Sequence, residues 1–92
     1  MKVVKEFDIE TKNARFNLTI SEEPDGKGFV GEYFGTSPKF AQVVRPGAAT
    51  AMMKEMGSGK LTGGDVEKLV ANSRAEIEKI DGKIQHTTER YV

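Results

Sequence analysis

Few residues in this chain stand at spacings that serve chemistry. His86 is its single histidine and it has no cysteine. A protein zinc site draws mainly on Cys and His, and the pattern H-E-x-x-H is absent. The sequence therefore names no metal ligand, and His86 is expected to make an ordinary strand hydrogen bond. Ser58, Thr62 and Ser73 lack the G-x-S-x-G elbow that exposes a nucleophile. No catalytic residue is nominated.

Gly59-Lys60 invites comparison with a phosphate loop, G-x-x-x-x-G-K-[ST]. Lys54 stands where the first Gly belongs, and Leu61 where Ser or Thr should follow. A glycine-rich approach to a helix start remains, with Lys60, Gly63 and Gly64 as candidate ligand-binding residues for an anion. Asp65 competes with that use, because an acid in the first turn already complements the helix dipole. An ordinary loop is the plainer reading. Glu6 and Glu32 are expected to flank Thr19 on one sheet face. Two carboxylates can share acid–base work or hold a hard cation, but that requires a desolvated cleft. A solvated acidic face is the simpler account. Met52, Met53 and Met56 offer adaptable thioethers, as core fillers or as a binding surface. Met52 and Met53 are adjacent, so both cannot point inward; Met53 is kept as a candidate interface residue.

The chain has 92 residues, 14 basic and 14 acidic. Each half is balanced, with seven basic groups against seven acids in 1–46 and again in 47–92. A general nucleic-acid binder would carry a basic half or tail. No apolar run approaches the roughly 18 residues of a membrane span, and the N-terminus turns polar too early for a signal-peptide core. The expectation is one domain in the cytoplasm, with no cofactor and no membrane association. Asn17-Leu18-Thr19 matches a glycosylation sequon but falls inside a strand pattern and follows no secretory signal.

The elements that must position these residues begin with alternation. Strands are predicted at 2–10, 15–22, 28–35 and 83–91. Even-length turns set Ile9 opposite Phe16, Phe7 opposite Leu18 and Glu10 opposite Arg15, keeping apolar groups on one face. The turn at 24–27 then sets Phe29 opposite Glu22, Gly31 opposite Ile20 and Tyr33 opposite Leu18. The buried face holds Phe7, Ile9, Phe16, Leu18, Ile20, Phe29 and Tyr33. The other face receives Val4, Val30 and Phe34 among polar groups, and these three are candidate interface residues. Residues 38–45 read equally as helix or strand. Helix formers fill 47–56, and 57–61 reads as a flexible loop. Val66, Leu69, Val70, Ser73, Ile77 and Ile80 give a helix over 63–80, opened by Thr62 to Asp65 as a capping box. The strand 83–91 has no strongly apolar face, so it is an edge strand, one exchanged with a second chain, or a frayed tail.

The fold class expected is α+β: an antiparallel three- to four-stranded meander with two helices on one face. Its hairpin at about 18–35, followed by a helix, resembles HicB-type antitoxin domains; that resemblance assigns no residue a role. The apolar trio and the unattached last strand point to a non-enzymatic interaction or regulatory module that pairs with itself or another protein. A ligand or anion binder, or an enzyme, using 57–65 is the alternative. A regulator that binds a specific nucleic-acid sequence or a toxin is the third, and it predicts a clustered Lys/Arg patch on the folded surface, with Lys60, Lys68 and Lys79 as candidates.

Overall fold

The computed structural model describes residues 2–37 and 54–91. Five strands and one helix follow in the order β1 (Lys2–Glu10), β2 (Arg15–Glu22), β3 (Phe29–Ser37), β4 (Lys54–Gly63), α1 (Val66–Asp81) and β5 (His86–Arg90). The strands form one antiparallel sheet in the order β4-β3-β2-β1-β5.

The meander has the register that alternation dictates. Ile9 faces Phe16, Phe7 faces Leu18 and Glu10 faces Arg15. Phe29 faces Glu22, Gly31 faces Ile20 and Tyr33 faces Leu18. A slip of one residue would turn Phe16, Leu18 and Ile20 to the solvent face. Those three are at most 2% exposed. With Phe7, Ile9, Ala14, Tyr33, Leu69 and Ile77 they form the core, and Phe29 packs at its margin.

Several expectations are corrected. The sheet has five strands rather than three or four, and the described residues hold one helix rather than two. Residues 54–56, expected to end a helix, begin β4, and the supposed loop at 57–61 is the middle of that strand; residues 38–53, with the expected helix start, lie outside the described residues. The helix starts at Val66 behind Asp65, not at Gly63 behind Thr62; the Asp65 carboxylate accepts from the backbone of Glu67 and Lys68. Asp supplies its own cap there, so no capping box is needed. Val4 leaves the outer face, because the β1–β2 register shifts between Val3 and Lys5. That bulge inserts one extra residue, and Val4 packs against the core instead.

β4 became a strand for reasons that its composition hides. Tyr33 faces Gly59 across β3–β4, and a Cβ built on Gly59 would lie 2.4 Å from the Tyr33 hydroxyl. The ring occupies the place of the missing side chain. One row along, Gly35 receives the Phe16 ring in the same way, at 2.2 Å. Small residues on β3 and β4 thus let rings and α1 settle on bare backbone.

Ser73 sits at that seam. It is fully buried, a Cβ on Gly31 would lie 3.0 Å from its Oγ, and among the described residues the hydroxyl has no hydrogen-bond partner. Size is what the site demands, and the hydroxyl costs stability. Ser73→Ala is expected to stabilise the fold by about 1 kcal/mol, from the relieved desolvation and better helix propensity. Urea unfolding checks this; a destabilised variant would mean that the hydroxyl has a partner in solution.

Candidate functional site

The sheet is covered on one face by α1, which packs on β2, β3 and β4. On its other face no described element lies over the strands. Cross-strand register lays out that outer face in rows. One row reads Thr88, Asp8, Asn17, Phe34 and Ser58 across β5, β1, β2, β3 and β4. The next reads Arg90, Glu6, Thr19, Glu32 and Lys60.

Phe34 stands near the middle of this surface with half of its area exposed. Strand alternation forces it outward, since Tyr33 and Gly35 turn in. A depression of about 380 Å³ lies on one side of it, bordered by Asp8, Arg15, Asn17, Thr36 and Arg90. Another of about 580 Å³ lies on the other, bordered by Thr19, Glu32, Ser58 and Lys60.

Six of the charges around Phe34 form three ion pairs. Arg90 Nε donates to Asp8 Oδ2, and Arg15 Nε lies 3.5 Å from Glu10 Oε1. Lys60 Nζ is 4.0 Å from Glu32 Oε1. Asn17 Nδ2 donates to Glu6 Oε1 at 3.1 Å, and Thr19 Oγ1 donates to Asn17 Oδ1 at 3.1 Å. The exposed pairs contribute little to stability, a median of about 0–1 kcal/mol each. Their effect is to surround the aromatic ring with three ion pairs, while Glu6 and Glu55 add two carboxylates to the same face that are bonded to neutral groups, Asn17 and Ser58.

The residues singled out from sequence are placed as follows. Glu6 and Glu32 do flank Thr19. They lie two strand spacings apart, about 10 Å, and Glu32 is exposed. Val30 is on the outer face but only 2% exposed. Of the expected trio, only Phe34 presents an apolar surface there. Met53 lies outside the described residues, and Met56 packs against the core.

Lys60 points to the outer face beside Glu32, whereas Gly63 and Gly64 lead to α1 on the opposite face. The sequence neighbours are thus separated by the sheet. The helix N-terminus they approach is already capped by Asp65, whose Oδ1 accepts from Glu67 at 2.9 Å and Lys68 at 3.4 Å. Lys68 and Lys79 are exposed on α1, about 16 Å apart along its axis, and Lys79 pairs with Glu76 at 3.2 Å. These two lysines and Lys60 do not form one patch.

His86 is exposed, with Nε2 at 3.2 Å from Thr88 Oγ1 on its own strand. Among the described residues no three His, Cys, Asp or Glu side chains are grouped to hold a metal ion, and no helix is long and apolar enough to cross a membrane. The last strand is paired within the chain: β5 runs along β1, with Lys5 Nζ at 3.1 Å from Glu89 Oε1.

One cluster was missed from sequence. The Asp81 carboxylate accepts from Thr11 Oγ1 at 2.6 Å, the Asn13 backbone N–H at 2.7 Å and Asn13 Nδ2 at 3.1 Å. Ser37 Oγ donates to the Asn13 carbonyl at 2.6 Å. The end of α1 thereby grips the β1–β2 turn. The Thr11-Lys12-Asn13 sequence signals a turn, but nothing local says that a carboxylate 68 residues away will hold it. No family model, curated protein or solved structure matches this chain.

Proposed function

We propose that the chain is a non-enzymatic, cytoplasmic protein-interaction module that acts as a homodimer, and that the outer sheet face around Phe34 meets a protein partner. The observation that carries this reading is the half-exposed Phe34 within a rim of paired charges. Protein interfaces are built that way, with an aromatic anchor at the centre and a polar rim that excludes water. Depressions on both sides of the ring give a partner side chain somewhere to seat.

A photo-reactive benzoyl-phenylalanine in place of Phe34 tests this in cells that make the protein. It is expected to cross-link to a polypeptide, while the same group at Ala71, on the exposed side of α1, does not. Equal yields at the two positions would sink the assignment of this face.

A further inference from the structure

The two edges of the sheet are not alike. β5 is five residues long and carries the charged groups Glu89 and Arg90, which form salt bridges with Lys5 and Asp8 of β1. Short, charged edge strands resist pairing with another chain. β4 is ten residues long, KEMGSGKLTG, and no described strand lies beyond it. Glycine and serine at Gly57, Ser58 and Gly59 leave little side chain to obstruct an approaching backbone.

We infer that β4 pairs antiparallel with β4 of a second copy, across a two-fold axis through Ser58, so that two five-stranded sheets become one. This rests on the homodimer reading above and names its seam. Charge complementarity selects the register. The β3–β4 ladder shifts between Gly35 and Thr36, which face Gly57 and Glu55, so Met56 is an extra residue. Because of that bulge Glu55, Ser58 and Lys60 all fall on the outer face. Placing Ser58 opposite its own mate sets Gly57 opposite Gly59 and Glu55 opposite Lys60 of the second copy. Symmetry then makes the Glu55–Lys60 pair twice. Without the bulge, Lys60 would meet Met56. An isologous contact must be self-complementary in this way.

The apolar margin of the core lies along the same edge. Leu61, Met56 and Ile80 are partly buried and packed against the core, and Ile80 sits over Gly57. The register brings that margin up to the seam, where a second copy would cover it. Because the axis is perpendicular to the sheet, both Phe34 faces end on one side of the joined sheet.

Sedimentation equilibrium at about 100 µM, where a micromolar dissociation constant leaves most chains paired, tests the seam. The wild type is expected to be a dimer. Glu55→Lys and Lys60→Glu should each weaken it about tenfold or more, because each places like charges together twice. An equimolar mixture of the two variants should recover the dimer, since opposite charges then meet at both ends of the seam. Circular dichroism melts of both variants check that the fold is kept. A dimer indifferent to both single reversals, or a mixture that fails to recover, overturns the β4 seam. If that same dimer is lost in Phe34→Glu, the homodimer reading stands with a different interface. A wild type that stays monomeric overturns both.

Discussion

Gly35→Ala is expected to lower the unfolding free energy by about 3 kcal/mol, near the top of the range for overpacked cores. A methyl group there would lie 2.2 Å from Phe16 Cε2 and 2.4 Å from Cδ2. Neither carbon can retreat cheaply, because Phe16 is 2% exposed within the core. The ring must leave its rotamer or β3 must move away from β2. Gly64→Ala is the control, since a Cβ there meets nothing within 4 Å, and it should fall within about 0.5 kcal/mol of wild type. Urea titrations of Gly35→Ala, Phe16→Leu and the double variant separate the clash from strand propensity. In the Phe16→Leu background the alanine should cost about 1 kcal/mol, since the smaller side chain vacates the space. Equal cost in both backgrounds would show that the ring is not what Gly35 accommodates. Gly59→Ala should be milder despite a 2.4 Å approach, because it meets the Tyr33 hydroxyl. Tyr33 is 8% exposed, and its tip can swing outward.

The second large effect belongs to Asp81. Removing its carboxylate strands both Asn13 donors at the β1–β2 turn and leaves Thr11 Oγ1, in a residue only 6% exposed, with the longer bond to the Ala14 carbonyl at 3.3 Å. Hydrogen bonds to charged groups contribute about 1.5–3 kcal/mol each, without simple additivity. Asp81→Ala should therefore cost about 3 kcal/mol, a fall in melting temperature of roughly 12–24 °C for a domain of this size. Asp81→Asn keeps an acceptor and should lose about half as much. The loss should shrink in a Thr11→Val background, where one donor is already gone. A melting temperature within a few degrees of wild type would show that the turn holds itself.

The first three strands were legible in the sequence because two independent patterns agreed. Alternation in Phe16, Leu18 and Ile20 fixed the faces, and pairing Glu10 with Arg15 fixed the same register. β4 was not legible. Gly57, Ser58, Gly59 and Gly63 are poor strand formers, and they form one because Tyr33 and α1 fill the space above them. That is a tertiary cause, invisible in a local window. Helix α1 was legible from its periodicity, although Asp65 outcompeted Thr62 as cap. Val4 shows the limit of face assignment, since a single bulge moved it from the outer surface to the core. The candidate site was legible in part: Phe34 was placed on the correct face by parity alone. Lys60 was grouped with Gly63 and Gly64 because they are near in sequence. A strand puts successive residues on opposite faces, so that nearness separated them.

The pairing of β1 with β5 also shapes how the chain is made. Lys5 and Glu89 are 84 residues apart, and Asp8 and Arg90 are 82 apart. At about 5–20 residues per second, β1 waits several seconds after its own synthesis for the neighbour on its free side. Closing so long a loop is entropically late, and non-local pairing of this kind slows folding. Through that interval β1 is an open edge that a nascent chain on a nearby ribosome could join. Lys5, Glu6, Asp8 and Glu10 are spaced along it as gatekeepers against that fate. The ionic partners of Lys5 and Asp8 on β5 are made only 84 and 82 residues later.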